Sequence, residues 1–121
     1  MKNIALPHQH NVPENLERLE ATLLQTEHFE IVAALFKQLS DTTRIRIFWL
    51  LCHTEQCVMN ISTLMEMSSP AVSHHLRVLR SCGLIVSRRE GKEVYYRASD
   101  DVQGQLLHKI VEQVMDIACP D

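Results

Sequence analysis

Between Ser68 and Gly83 the chain sets the donor side chains Ser73, His74, Arg77 and Arg80 among the apolar residues Val72, Leu76 and Leu79. The apolar three fall at i, i+4 and i+7, which is one stripe of an α-helix. The donors therefore collect on the remaining surface, and the stretch contains no carboxylate to neutralise them. Hydroxyl, imidazole and guanidinium groups in such a row suit phosphate oxygens and base edges, as on a helix that enters a DNA major groove. An ordinary amphipathic surface helix has the same make-up, and the segment by itself leaves both readings open. Its ends are well marked. Ser69 is the expected N-cap, Pro70 takes the first helical position, where a missing N–H costs nothing, and Gly83 supplies the left-handed residue that closes a helix.

A helix of this kind needs a partner ahead of it and a core beneath it. Asn60 is placed to cap a short helix, Ile61 to Met67, and only a tight turn separates it from Pro70, which predicts a helix-turn-helix. Upstream, Ser40-Asp41 is a start signal. Ile45, Phe48, Trp49 and Cys52 then define one face, with Ile47, Leu50 and Leu51 covering much of the rest. A helix apolar nearly all round is buried, so this is the expected central helix. After Gly83 the period changes to two. Leu84–Arg89 and Val94–Arg97, joined by Glu90-Gly91-Lys92, read as a β-hairpin with a basic tip.

Ser99, Asp100 and Asp101 open a final helix, acids being favourable at its N-terminus. Its stripe, Leu106, Ile110, Val114 and Ile117, is widened by Leu107, Val111 and Met115. That exceeds what packing on one small domain requires and points to self-association, with Leu16, Leu19 and Leu23 as a second contributor. Residues 1–12 show no periodicity. Pro13 is a candidate helix start, and the runs Leu16–Leu23 and Phe29–Leu39 fit either one long helix or two with a break near Gln25–Thr26. The expected organisation is an arm and helix start over 1–25, then a winged helix-turn-helix domain over 26–121 whose terminal helix, 98–118, dimerises. The fold class is mainly α with a small β-hairpin.

The chain is 121 residues, one domain's worth, and 45% hydrophobic. Chains of this size are often completed by dimerisation. No apolar run is long enough to span a bilayer, and the N-terminus lacks a signal-peptide pattern, so a cytoplasmic location is expected. Cys52, Cys57, Cys82 and Cys119 are then thiols or ligands rather than a disulfide framework. The net charge of −3 argues against a general polyanion binder. Its distribution says more: residues 1–30 carry −3, residues 60–97 carry +3 and residues 98–121 carry −4. A basic middle between acidic ends is the footprint of a nucleic-acid face. No nucleophile–base pair or glycine-rich phosphate loop is present, so an enzyme is not expected.

Several separated blocks, agreeing in order and spacing, resemble the ArsR/SmtB family of metalloregulatory repressors. They are Asp41-Thr-Thr-Arg44-Ile-Arg-Ile, Cys57-Val-Met-Asn-Ile, Ser69-Pro-Ala-Val-Ser-His-His-Leu-Arg77-Val-Leu and Arg89-Glu-Gly-Lys-Glu-Val-Tyr-Tyr96. The similarity covers residues 30–117. It implies a homodimeric repressor on an inverted-repeat, double-stranded operator, released by an inducer. Ser68, Ser69, Ser73, His74, Arg77 and Arg80 would face the major groove, and Arg88, Arg89 and Lys92 on the wing would contact phosphates. His75, beside the apolar stripe, is expected to be half-buried and satisfied within the protein. A winged helix used only for protein–protein contact is the lesser alternative.

The resemblance also implies where an inducer would bind. One family site, between paired terminal helices, matches Asp100, Val102, Gln113 and Asp116 here; Val102 cannot ligate, so this site is expected to be absent. The other joins the arm to the helix-turn-helix through a cysteine, here Cys57. His8 and His10 on the arm, with His53 or Cys52 near the same corner, would complete a mixed set suited to zinc, with cadmium, cobalt or nickel as alternatives. The competing reading is a thiol sensor for oxidants or persulfides using Cys52, Cys57 and Cys119. The inner cysteine of family thiol sensors falls on Trp49.

Overall fold

The computed structural model describes residues 5–119. The chain forms two compact units, residues 1–34 and residues 35–121. In the first, α1 (Leu16–Leu23) is followed by α2 (Thr26–Leu39), which runs on into the second unit. Two helices form here, not one. The break falls at Leu24–Gln25, whose N–H groups bond back to Glu20 and Thr22. α1 starts beyond Pro13, at Leu16, with no side-chain cap and no buried residue.

The second unit carries α3 (Thr42–His53), β1 (Gln56–Cys57), α4 (Val58–Met65), α5 (Ser69–Ser81), β2 (Ile85–Glu90), β3 (Glu93–Ala98) and α6 (Val102–Ala118). Its core joins Ile47, Phe48 and Leu51 of α3 to Ile61 and Met65 of α4, the Val72–Leu76–Leu79 stripe of α5, Leu84, Ile85 and Leu107. Phe48 and Ile47 are fully buried, so α3 is the central helix. Trp49, expected on its inner face, is instead 36% exposed. Asp41 caps α3 through its side chain, which accepts from Arg44 N–H at 2.9 Å.

The hairpin is part of a three-stranded sheet of order β1-β3-β2. β1 escaped the sequence reading because two residues are too few to show a period; Gln56 and Cys57 pair with Tyr96 and Tyr95. Glu90 pairs with Glu93 across the Gly91-Lys92 turn, and Gly91 has φ +61°, a conformation glycine adopts at no steric cost. β1 also moves the start of the next helix. α4 begins at Val58 with Cys57 as N-cap, so Asn60 lies inside the helix and does not cap it; its amide donates to Gln56 Oε1 at 2.9 Å. α6 starts as expected, Asp101 accepting from Gly104 N–H at 2.8 Å.

Candidate nucleic-acid interface and ligand clusters

α4 and α5 are joined by Glu66–Ser68. Glu66 takes up the left-handed conformation, φ 54° and ψ 49°, and Met67 N–H closes back on Ser62 O at 3.0 Å. The N-cap of α5 is Ser68, one residue earlier than expected: its hydroxyl accepts from Ala71 N–H at 3.3 Å. Ser69 becomes the first helical residue, its hydroxyl 3.2 Å from that of Ser62, so the two helices are tied at their corner. At the far end Gly83, φ +74°, completes a Schellman closure. Leu84 N–H bonds Leu79 O and Gly83 N–H bonds Arg80 O, which satisfies carbonyls that a helix end leaves free.

With its stripe buried, α5 turns the other residues outward. His74, Arg77 and Arg80 are exposed and Ser73 is half-buried. Ser73, Arg77 and Arg80 line one concavity beside Tyr96 of β3. Neither Arg77 nor Arg80 is paired with a carboxylate among the described residues. His75 is half-buried, as expected, and Arg44 Nε donates to its Nδ1 at 3.3 Å. Burial is the main cause that holds the His75 imidazole below its ordinary pKa.

The wing's cations differ among themselves. Arg89 and Lys92 are exposed near the turn. Arg88 is engaged: it meets Glu55 at 2.7 Å and Glu90 at 2.6 Å, and its guanidinium lies 4.8 Å from the Tyr95 ring centroid. These hydrogen bonds raise the Arg88 pKa further, and the Arg88 bond keeps the Glu55 carboxyl below the usual range.

Of the residues nominated as metal ligands, His8 and His10 lie in the first unit, their ring centroids 5.4 Å apart. Cys57 and His53 lie in the second. His53 points to α6, and its Nε2 is 2.9 Å from Glu112 Oε1. The same oxygen receives His108 Nε2 at 3.1 Å and Trp49 Nε1 at 2.9 Å. These bonds, that from His53 foremost, hold the Glu112 carboxyl below its ordinary pKa. His53, His108 and Glu112 are the group of three ligating side chains found among the described residues. The sequence reading missed His108 and Glu112, although their i, i+4 spacing puts them on one helical face. The Cys52 thiol is pushed up to about 12 by burial and by Glu112, whereas Cys119 is exposed.

A helix-turn-helix whose second helix bares unpaired donors, followed by a basic hairpin, defines a winged-helix protein of the nucleic-acid-binding class. A family model for bacterial regulatory proteins of the arsR family matches residues 41–87. The chain is 40% identical, over 72% of its length, to the cadmium resistance transcriptional regulatory protein CadC homolog of Staphylococcus aureus, and covers 73% of it. It is 30% identical, over 85% of its length, to the transcriptional repressor SmtB homolog of Synechocystis, covering 78% of that protein. A solved structure with TM-score 0.67 and 33% identity covers 76% of this chain and 84% of its own. It is the homodimeric winged helix-turn-helix DNA-binding domain of a Mycobacterium bovis protein, described as a possible ArsR-family transcriptional regulator. The chain belongs to the ArsR/SmtB family of transcriptional regulators. No helix among the described residues is long and apolar enough to cross a membrane.

Proposed function

We infer that this regulator is a homodimeric repressor that binds an inverted-repeat operator and is released by a divalent metal ion. The observation that carries the DNA-binding part is the outer face of α5, where Arg77 and Arg80 lack carboxylate partners among the described residues and share one concavity with Ser73. In a two-fold dimer the two copies of α5 would enter successive major grooves about one helical turn apart. α6 supplies an apolar surface for pairing: Val102, Leu106, Val114 and Ile117 are all more than half exposed. The homodimeric Mycobacterium bovis domain supports that assembly.

The inducer reading rests on donor chemistry. Cys57 offers a thiolate, a donor suited to zinc or cadmium, and a cadmium resistance regulator is among the relatives. The ion would act as inducer by favouring a dimer whose recognition helices no longer match the operator spacing. Such coupling is typically about 1–3 kcal/mol. Cys52 disfavours the thiol-sensing alternative, because a thiol held near 12 carries almost no thiolate at neutral pH.

The test is operator binding by gel shift and anisotropy, with and without added zinc or cadmium. Arg77→Ala should weaken binding at physiological salt; unchanged affinity removes α5 from the interface. Cys57→Ser should bind DNA normally and lose metal-induced release. Release that persists in this variant rules out Cys57 as a ligand for the inducing ion.

A further inference from the structure

We propose that His53, His108 and Glu112 form a mononuclear site for a borderline divalent cation of the zinc, cobalt and nickel type, separate from Cys57. The site does not depend on the arm reading. Three different ligand atoms, two imidazole nitrogens and a carboxylate oxygen, lie within 4.8 Å of one another. A tetrahedral zinc ion with bonds of about 2.0–2.1 Å sets its ligand atoms roughly 3.3 Å apart. The nitrogen–oxygen separations of 2.9 and 3.1 Å need to open by only a few tenths of an ångström, a small side-chain movement of about that size.

The surroundings favour an ion. His108 and Glu112 come from one turn of α6 and His53 from the last residue of α3, so two packed helices fix the set. Trp49 Nε1 already donates to Glu112, which is the kind of outer bond that orients a ligating carboxylate. The three side chains are 33–45% exposed, leaving entry for the ion and a water as fourth ligand. A cavity of about 280 Å³ touches His53 and His108. Both Nε2 atoms already lie against Glu112 Oε1; to ligate, each ring offers its Nε2 lone pair to the ion and carries its N–H at Nδ1. Without a thiolate the set favours borderline ions over soft ones. Its position joins the end of α3 to α6, the helix proposed above to pair the protomers.

The test is a cobalt(II) titration of the metal-free full-length chain and of its Cys57→Ser form, read by visible absorption. The expected result is one ion per chain with ligand-field bands and no thiolate-to-cobalt charge-transfer band in Cys57→Ser. His108→Gln and Glu112→Gln, introduced singly into that background, should each weaken binding at least tenfold while keeping the helical circular dichroism of the parent. Unchanged affinity in both would overturn the proposal. So would a spectrum dominated by the thiolate band that vanishes with Cys57→Ser, an outcome that favours the Cys57 site instead. Absence of cobalt binding from both proteins defeats this site and the metal part of the functional reading together. Operator binding by metal-free protein then still decides the repressor part.

Discussion

Arg44 Nε donates to His75 Nδ1 at 3.3 Å, so a buried cation on the central helix holds a half-buried imidazole on α5. The same guanidinium donates through Nη1 to Gln38 O at 2.7 Å and to Gln38 Oε1 at 3.2 Å. One side chain thereby ties the end of α2, α3 and α5 together. Removing it strands a carbonyl and an imidazole nitrogen that water reaches poorly, and such unsatisfied groups cost about 1–3 kcal/mol each. Arg44→Ala should therefore lower unfolding free energy by about 2–4 kcal/mol in urea titration. Operator affinity, measured where the variant is fully folded, should fall as well, because α5 loses an anchor.

The His75 imidazole also gives stability a pH dependence. Burial is the first cause of its lowered pKa, opposed by Asp41 and reinforced by Arg44 and His74. The unfolded chain, with an ordinary histidine near 6.5, then binds more protons than the folded chain as pH falls. The contribution is complete above about 7 and is lost as pH drops through about 6.5 towards the folded value. Asp41, whose carboxyl is held low mainly by Arg44 N–H, adds a separate loss that begins only below about 4. Urea unfolding at pH 7.5 and 5.5 should show the parent weaker at the lower pH and His75→Gln with a flatter profile. Equal profiles would mean that His75 titrates alike in both states.

α5 was legible because its signals are local. The Val72–Leu76–Leu79 stripe, Pro70 and Gly83 act within the helix itself, and the structure shifts its cap only from Ser69 to Ser68. β1 was not legible, since Gln56–Cys57 becomes a strand only by pairing with β3, forty residues away in sequence. Missing it also misplaced the start of α4. Glu66 adopts a left-handed backbone with no glycine or asparagine to announce the turn. The His53–His108–Glu112 group joins two helices distant in sequence, so only their packing reveals it, although His108 and Glu112 carried the spacing of a helical pair.

Gly104 makes a further case of long-range packing. It lies buried in the first turn of α6, and a Cβ there would overlap the Ser99 carbonyl oxygen. That carbonyl belongs to the backbone, and Ser99 N–H is itself bonded to Leu84 O at 2.9 Å. The clash has no flexible side chain to absorb it, and overpacking of this kind costs about 1–3 kcal/mol. Gly104→Ala should lower the melting temperature despite alanine's better helix propensity; a gain would show that the start of α6 can shift freely.

The cysteines should differ sharply in reactivity. Cys119 is exposed, while Cys52 is pushed up to about 12 by burial and by the Glu112 charge. Since the thiolate is the nucleophile, Cys52 at pH 7 presents only about one reactive molecule in 10⁵. Limited alkylation of the native protein, mapped by mass spectrometry, should label Cys119 early and leave Cys52 unlabelled until denaturant is added. Prompt labelling of Cys52 would restore it as a candidate sensor.

Arg88 was grouped with Arg89 and Lys92 as a phosphate contact, yet its geometry sets it apart. Its guanidinium is held between Glu55, just before β1, and Glu90 at the hairpin turn, above the Tyr95 ring. To reach a phosphate it would have to break both ion pairs, leaving two carboxylates facing the DNA. Among the described residues the Arg89 side chain donates only to Gly91 O, at 3.4 Å, and Lys92 is exposed at the tip, so each is available at little cost. Neutralising one phosphate releases roughly one counterion, so losing one contact reduces the slope of log affinity against log salt by about 1. Arg89→Ala and Lys92→Ala should each show that reduction. Arg88→Ala should keep the parental slope and weaken operator binding at every salt concentration by the same factor, through a less ordered hairpin. A slope reduced by Arg88→Ala alone would mean that the ion pairs open on DNA and that Arg88 is the wing's phosphate contact.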